Sequence, residues 1–365
     1  MIIGIDASRA ALANRTGTET YAFEVIRALA THADADHLLR LYTPRPPAGT
    51  WISSPFVETR VIPLPRLWTH LRLAAEIAQN PPDVLFVPSH VLPLISTVPA
   101  VVTVHDLGYL HFPETHTRFQ RWYLNFTTRR HTRIARRIIA DSAATKNDLV
   151  RFYRAPAEKI HVVHLGISTT IHRVENPAAT VKKYGISGEY LLYLGTLQPR
   201  KNLLRLLTAF QKISAEFPGV TLVLAGGKGW LFDQIRQQID RLQLDERVVL
   251  PGFIPEADKS ALLSGATAYL FPSLYEGFGL PVLEAMACGT PVLIGNGSSL
   301  PEIAGDAALA VNPLDSAAIA DGIRRLLTDP ALRQSLVSKG FRRVRQFSWE
   351  KTGAEIWQIL LEAAS

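Results

Sequence analysis

The chain has 365 residues, 47% of them hydrophobic, and a formal net charge of +7 at neutral pH. That length predicts more than one domain, and the single cysteine, Cys288, excludes an internal disulfide and agrees with a reducing compartment. We find no apolar run long enough to span a bilayer and no signal peptide ahead of the first strand, so we predict a cytoplasmic protein.

Short apolar strands alternate with amphipathic helical patterns, which is typical of parallel sheets with helices on both faces. The first half predicts strands near 2–6, 38–42, 57–62, 83–87, 100–104, 137–140 and 160–163, with helices near 18–31, 67–79, 116–135 and 142–153. The second half predicts strands near 190–194, 221–224, 247–250, 267–271, 291–294 and 307–311, helices that begin near 201 and 230, and helices at 315–327, 331–345 and 349–363.

The periodicity divides the chain into two doubly wound α/β halves, which are Rossmann-like and face a central cleft. We predict an N-terminal domain at 1–170, a linker at 171–188, where the pattern fades, and a C-terminal domain at 189–345. The last helix, 346–365, can pack back on the N-terminal domain. Ligands bind such sheets at the carboxyl ends of the strands, so the residues that follow each strand are the candidates for a binding site.

Basic residues are concentrated in the first half, since residues 1–170 hold 19 Lys and Arg against 13 Asp and Glu. Seven arginines and no acid fall within 118–137. Three aromatic residues lie among them, namely Trp122, Tyr123 and Phe126. A helix of this composition can lie on an anionic membrane surface, and the alternative is a helix with inward aromatic side chains and solvated arginines. We expect no nucleic-acid partner, because no nucleic-acid-binding motif accompanies the arginines.

Two positions follow strands of the first half. Gly17, in the segment N-R-T-G-T-E-T at 14–20, opens the first predicted helix, where it allows backbone to approach a phosphate or an acceptor. A plain loop before a helix is the alternative. His105 follows the strand V-V-T-V, where neutral imidazole can bind sugar hydroxyls and charged imidazole can assist a departing phosphate. A local hydrogen bond within the loop is its alternative.

Two other segments resemble sites without the required spacing. The segment A-G-G-K-G at 225–229 lacks the P-loop pattern, although Gly226 would still permit backbone to approach a nucleotide. The segment H-A-D-A-D-H at 32–37 joins a helix to a strand and has no phosphate-binding element nearby, so it predicts a solvated turn and not a metal site.

Two adjacent cations lie where a helix begins. The segment G-T-L-Q-P-R-K-N at 195–202 follows a strand, and it places Arg200 and Lys201 near the positive end of the helix dipole. Cations are unfavourable there unless an anion is bound, so the pair predicts a diphosphate site. Solvated surface charge is the alternative.

The segment E-G-F-G-L-P-V-L-E at 276–284 is the most informative part of the sequence. It joins a buried strand to a helix, and it holds one acid, Glu276, before the turn and a second, Glu284, inside the helix. Gly277 and Gly279 allow backbone to approach a ligand, and the first helical turn supplies N–H groups for phosphate. The two carboxylates can accept hydrogen bonds from hydroxyls. Together these groups predict a nucleotide-sugar site.

These motifs, in chain order, resemble family 4 of the glycosyltransferases over essentially the whole chain. The resemblance is most specific in P-S-L-Y-E-G-F-G-L-P-V-L-E-A-M-A-C-G-T-P-V at 272–292. The segments L-G-T-L-Q-P-R-K-N at 194–202 and V-T-V-H-D-L at 102–107 are similar to the bacterial branch that builds O-antigen and capsular polysaccharides, many members of which use GDP-mannose. The family has the GT-B fold and retains the configuration of the sugar.

The resemblance implies a role for each matched residue. Glu276 and His105 would contact the donor sugar, and Glu284 would hold the ribose. The diphosphate would lie on Arg200 and Lys201. The N–H groups around Phe278, Gly279 and Leu280 would help to hold it, and the loop that contains Gly17 matches a phosphate contact of the family. Gly277 and Gly226 are predicted to approach the donor because they lack a Cβ. Many relatives place an arginine where this chain has Thr196, so Arg200 would supply that charge.

The function predicted in this way is metal-independent hexosyl transfer, with the nucleotide-sugar as co-substrate and no cofactor. The donor would be GDP-mannose, and the acceptor a saccharide or a polyprenyl-diphosphate-linked saccharide at the inner face of the cytoplasmic membrane. A nucleotide-sugar epimerase or a phosphorylase on the same architecture is one alternative, and a non-catalytic nucleotide-sugar-binding subunit is another.

Overall fold

The computed structural model of the protein describes residues 1–13, 15, 17–48, 51–89, 91–227, 229 and 232–365. Its contacts divide the chain into two compact units, one formed by Met1–Gly166 with Phe347–Ser365 and the other by Ile167–Gln346. Both are α/β units built on a parallel sheet.

The first unit contains a parallel sheet with the strand order β3-β2-β1-β4-β5-β6-β7. Its strands are β1 (Ile2–Asp6), β2 (Leu38–Thr43), β3 (Val57–Val61), β4 (Val84–Val87), β5 (Ala100–Val104), β6 (Arg137–Ala140) and β7 (Ile160–Val162). Strands β4 and β5 are buried along their whole length, as expected for apolar runs covered by helices on both faces.

Helices follow most of these strands. They are α1 (Gly17–Ala30), α2 (Ala74–Gln79), α3 (Gly108–His111), α4 (Arg118–Ile134) and α5 (Ala143–Tyr153). A π-helical turn, Thr69–Leu73, runs directly into α2. Helix α4 begins with a capping box in which Thr117 and Gln120 bond each other's backbone.

The second unit contains a parallel sheet with the strand order β10-β9-β8-β11-β12-β13. Its strands are β8 (Glu189–Leu194), β9 (Val220–Ala225), β10 (Val248–Gly252), β11 (Ala268–Phe271), β12 (Val292–Gly295) and β13 (Ala308–Val311). Its helices are α6 (Ala178–Lys182), α7 (Leu203–Ser214), α8 (Phe232–Arg241), α9 (Glu256–Gly265), α10 (Leu280–Ala287), α11 (Leu300–Ala304), α12 (Ser316–Thr328) and α13 (Pro330–Val344).

The last helix, α14 (Trp349–Ala364), belongs to the first unit and packs on α1. A Cβ added at Gly353 would lie 2.6 Å from the Cβ of Ala28, so the two helices touch where neither has a large side chain. Thr352 donates a hydrogen bond of 2.7 Å to the carbonyl of His164.

The segment 171–188 differs from the linker that we predicted there. It contains α6 and buries Ile171, Val181 and Ile186, and Val181 contacts Gly265 at the end of α9. The breaker Pro177 directly precedes a short helix here, and Gly185 follows it after a turn. The chain therefore passes between the units at Gly166, four positions before the predicted boundary at 170.

Candidate functional site

In the second unit the strand order reverses at β8, which lies between β9 and β11. Loops at such a reversal diverge and leave a crevice at the carboxyl ends of the strands. The loop after β8 contains a 3-10 turn, Pro199–Lys201, and the loop after β11 contains Glu276. A main-chain hydrogen bond joins the two loops: the backbone N–H of Leu274 donates to the carbonyl of Arg200 over 2.9 Å.

The predicted acid and the two predicted cations meet where these two loops join. Arg200 Nη1 lies 2.6 Å from Glu276 Oε2, and Lys201 Nζ lies 2.6 Å from Glu276 Oε1. Both Lys201 and Glu276 are buried. The ammonium of Lys201 also lies 4.7 Å from the ring centroid of Phe271. Each carboxylate oxygen therefore has its own cationic partner.

Electrostatics keeps Glu276 ionised. Burial alone would raise its pKa, but Lys201 and Arg200 outweigh burial and hold the pKa below the ordinary value. The site thus combines a fixed negative charge with two positive charges, and its net charge is +1.

Two serines, which the sequence did not predict as site residues, hold the loop that contains Glu276 and Phe278. Ser298 Oγ accepts a hydrogen bond from the backbone N–H of Glu276 over 3.0 Å. Ser299 Oγ lies 2.9 Å from the carbonyl of Glu276 and 2.7 Å from that of Phe278. Gly279 has φ +111°, and a Cβ there would meet a Leu300 methyl carbon at 2.8 Å. The glycine in this motif is therefore needed by the turn itself.

The other predicted positions of this segment lie at the start of α10. Gly277 and Phe278 belong to the loop, Phe278 is buried, and Leu280 is the first helical residue. The first turn of α10, which we expect to face a diphosphate, thus begins four residues after Glu276.

Glu284 lies inside α10 and is buried beside Lys259 of α9. Lys259 Nζ is 3.6 Å from Glu284 Oε1 and 2.7 Å from Glu256 Oε2. Burial raises the pKa of Glu284, and Lys259 offsets only part of that rise. Burial would lower the pKa of Lys259, but Glu284 and Glu256 outweigh it and raise that pKa. The sequence did not predict a role for Lys259, because no motif of distinctive spacing contains it.

Gly226 follows β9 and meets the loop after β8. Its φ is +140°, and a Cβ would lie 2.0 Å from the carbonyl oxygen of Gly195. Its N–H donates to the carbonyl of Gly252 over 2.7 Å. The neighbouring backbone therefore requires glycine here, and an approach of Gly226 to a nucleotide stays a prediction. Lys228 of the same segment lies outside the described residues.

His105 of the first unit lies between two hydrogen-bond acceptors. Its Nδ1 is 2.8 Å from Asp141 Oδ2, and its Nε2 is 3.1 Å from the carbonyl of Pro88. A carbonyl only accepts, and a carboxylate accepts from a ring N–H, so this geometry suits a doubly protonated imidazolium. Burial would lower the pKa of His105, but Asp141 outweighs it and raises that pKa. The charged alternative of the sequence prediction is therefore favoured, and contact with a sugar stays a prediction.

Gly17 is the first residue of α1 and has φ +30°. A Cβ there would have no neighbour within 4 Å among the described atoms, so packing does not require the glycine. Asn14 and Thr16 of the same loop lie outside the described residues. A role for Gly17 in binding phosphate stays a prediction.

A pocket of about 520 Å³ lies near the point where the first sheet reverses, at β1. Arg9 and Arg45 contribute cations, and Trp68 contributes an aromatic wall. Ser89, directly after β4, is buried, and within the described part of the chain its hydroxyl has no hydrogen-bond partner. The pocket combines groups that suit a polar or anionic ligand.

Helix α4 exposes most of its aromatic residues. Phe119, Trp122 and Phe126 are 70%, 60% and 46% exposed, and the rings of Trp122 and Phe126 stack at 5.7 Å. Tyr123 is half-buried and bonds His70 over 3.2 Å. The inward-packing alternative therefore holds for Tyr123 but is wrong for Trp122 and Phe126. Phe119 extends the exposed row.

Neither a metal cluster nor a membrane-spanning helix is found in the described ranges. No three His, Cys, Asp or Glu side chains there are grouped to hold a metal ion. No helix of that part of the chain has the length and apolarity that a bilayer crossing requires. In the segment 32–37, Asp34 accepts hydrogen bonds from the backbone of Asp36 and His37 over 2.9 and 2.8 Å.

The two parallel sheets, with Glu276, Arg200 and Lys201 together at the strand-order reversal of the second, agree with the GT-B fold of the glycosyltransferases. Family models support this: Glycosyltransferase Family 4 matches residues 15–171, and Glycosyl transferases group 1 matches residues 180–343. The chain belongs to glycosyltransferase family 4.

Curated relatives are similar to the chain in sequence, and a solved structure is similar to it in fold. O-antigen chain mannosyltransferase B of Escherichia coli is 35% identical over 259 residues, which cover 69% of this chain and 67% of that protein. The serotype-specific mannosyltransferase WbdA of Escherichia coli is 28% identical over 303 residues, which cover 76% of this chain but only 36% of WbdA. Sucrose-phosphate synthase of Thermosynechococcus elongatus aligns over 100% of both chains, with a TM-score of 0.78 and 22% identity.

Proposed function

We propose that this glycosyltransferase moves mannose from GDP-mannose to a saccharide or lipid-linked acceptor, with retention, during synthesis of a cell-surface polysaccharide. The observation that carries the proposal is the meeting of Glu276, Arg200 and Lys201 at the strand-order reversal of the second unit. The mannosyltransferase names of the two relatives support the choice of sugar.

The chemistry requires stabilisation of a departing nucleoside diphosphate. Arg200 and Lys201 would bind its oxygens as the bond between the anomeric carbon and the phosphate oxygen breaks. The acceptor hydroxyl would attack from the same face, and its proton would pass to the departing phosphate oxygen. Glu276 would accept hydrogen bonds from sugar hydroxyls, and Glu284 from the ribose. Since the two cations neutralise the leaving group, we propose that no metal is needed.

A donor panel tests the substrate. We expect GDP-mannose to raise the melting temperature more than UDP- or dTDP-sugars, because a ligand that binds only the folded state stabilises it. Stabilisation by a UDP-sugar and none by GDP-mannose would show that the donor is wrong. Analysis of products separates transfer from epimerisation, because only transfer consumes an acceptor.

The catalytic assignment is tested with Lys201→Ala and Glu276→Gln. Each should fold and lose roughly 10²–10³ in transfer rate, as is typical when a group that stabilises the transition state is removed. Glu216→Gln, which removes a carboxylate bonded to Arg324 on the surface, is the control. Transfer at the wild-type rate by both site variants would refute the assignment.

Metal independence has its own measurement. Transfer should persist in excess chelator, because Arg200 and Lys201 supply the positive charge that a metal supplies elsewhere. Loss of transfer in chelator that Mn²⁺ or Mg²⁺ restores would contradict this proposal.

We also propose that the enzyme lies on the anionic inner face of the cytoplasmic membrane through α4. Arg118, Arg129 and Arg133 are exposed, and at 100° per residue they fall on the same side as the exposed Trp122 and Phe126. Aromatic rings insert at the lipid headgroups, while each basic residue near such a surface adds about 1 kcal/mol. A lipid-linked acceptor would be reached from this position.

Vesicle sedimentation tests the membrane proposal. Binding to anionic vesicles should exceed binding to neutral ones and should weaken with salt. Arg129→Glu with Arg133→Glu should abolish it, whereas Arg241→Glu with Arg325→Glu, an equal charge change on exposed arginines of the second unit, should reduce it far less. Equal recovery of the two double variants would mean that α4 is only a solvated helix.

A further inference from the structure

Both cations proposed for the diphosphate already have an anionic partner in the protein. Glu276 contacts Arg200 and Lys201 at 2.6 Å each, and the carboxylate is only 6% exposed. Arg200 also donates to the carbonyl of Tyr275 over 2.9 Å, so the guanidinium is held against the loop that carries Glu276.

A carboxylate and a diphosphate present the same chemistry to these cations. Both are anionic oxygen acceptors, and two like charges in a buried site repel each other strongly. The geometry assigns Glu276 to a second role, as an internal counter-ion that the donor diphosphate displaces from Arg200 and Lys201. This inference rests on the proposed function, and it concerns how the same site selects its ligand.

Displacement explains how the site would favour the donor over the product. Once displaced, the buried carboxylate needs new hydrogen-bond donors, since an unpaired buried charge is costly. The hydroxyls of the donor sugar supply them, and the product nucleoside diphosphate has no sugar to do so. Glu276 would therefore weaken binding of free GDP more than binding of GDP-mannose, which assists product release.

Calorimetric titration of wild type and Glu276→Gln separates these effects. The variant should bind GDP about ten-fold more tightly. In the wild type the diphosphate has to displace the Glu276 carboxylate from Arg200 and Lys201, whereas in the variant it displaces only a neutral amide. Guanosine, which has no phosphate, should bind both proteins alike, and the gain for GDP-mannose should be smaller than that for GDP. Glu216→Gln again controls for net charge.

The outcomes distinguish this inference from the proposed function. If the wild type binds neither GDP nor UDP, both fail; if it prefers UDP, the titration is repeated with UDP and uridine. Equal or weaker binding of the nucleotide by a folded Glu276→Gln overturns the counter-ion role alone. Should that variant not fold, Glu276→Asp is used, whose shorter side chain cannot hold both cations; unchanged nucleotide affinity in it overturns the inference as well.

Discussion

At the level of single residues, Glu276 and Glu284 show how position controls a carboxyl group. Both are buried, yet the pKa of Glu276 is lowered and that of Glu284 is raised. Glu276 lies 2.6 Å from two cations, whereas Glu284 lies 3.6 Å from one. Burial determines the direction of the pKa shift where only one compensating charge is present and lies farther away.

The lowered pKa of Glu276 predicts acid-sensitive stability. Its contribution is fully present above the ordinary value of 4.5 and is lost as pH falls through the lower pKa of the folded state. At pH 7, Glu276→Gln should lower the melting temperature by roughly 6–10 °C, because removing one partner of a buried pair strands the others. The difference between the two melting temperatures should shrink below pH 4.5. A constant difference across that range would contradict the ion pair.

The pair formed by His105 and Asp141 should respond in the opposite direction. Because the pKa of His105 is raised, its contribution is fully present below the ordinary value of 6.5 and is lost as pH rises through the higher folded pKa. The melting temperature of the wild type relative to His105→Gln should therefore fall as the pH is raised above 6.5. A relative melting temperature that rises over this range would mean that the imidazole is neutral.

At the level of elements, the loops after β8 and β9 meet backbone to backbone, which leaves no room for a side chain at Gly226. Gly226→Ala should lower the melting temperature by roughly 4–8 °C, since a Cβ would lie 2.0 Å from the Gly195 carbonyl oxygen and the residue would keep φ +140°. Gly227→Ala is the matched control, because a Cβ there has no neighbour within 4 Å. Equal melting temperatures for the two variants would show that the contact does not constrain the loops.

The sequence predicts these elements unevenly. Strands such as β1 and β5 were placed to the residue, because an apolar run between turns has few other interpretations. Helix α6 was missed, since Pro177 suggested a break where it begins a short helix. The periodicity of α4 separates the faces of the helix, but it does not show which face packs against the rest of the protein.

The sequence predicted individual site residues, but it did not predict the contacts between them. The spacing in the segment 276–284 pointed to Glu276, and two adjacent cations pointed to Arg200 and Lys201. Their contact joins residues 75 and 76 positions apart, and no local pattern encodes such a pairing. Ser299 and Lys259 were missed for the same reason.

At the level of the whole molecule, the two units differ in continuity. The second unit is one uninterrupted segment, Ile167–Gln346, with its own sheet, whereas the first needs Phe347–Ser365 from beyond it. In α14, Ile356 and Leu360 are completely buried, so the first unit loses part of its core without that helix.

This difference predicts the behaviour of fragments. Residues 167–346 alone should fold and bind the nucleotide, because the predicted donor residues of the crevice lie within them. Residues 1–166 should not fold unless 347–365 is supplied, either fused or as a peptide. Circular dichroism and titration with GDP check both statements, and a stable isolated 1–166 would show that α14 is dispensable.

The discontinuity of the first unit also orders events during synthesis. Its first 166 residues leave the ribosome early, but the face of α1 that α14 covers stays open until the final segment emerges. At about 5–20 residues per second, translating the intervening second unit takes roughly 10–40 s, which is long compared with the folding of a domain. The second unit is therefore complete first, and the nascent first unit carries an exposed apolar surface that a chaperone can recognise.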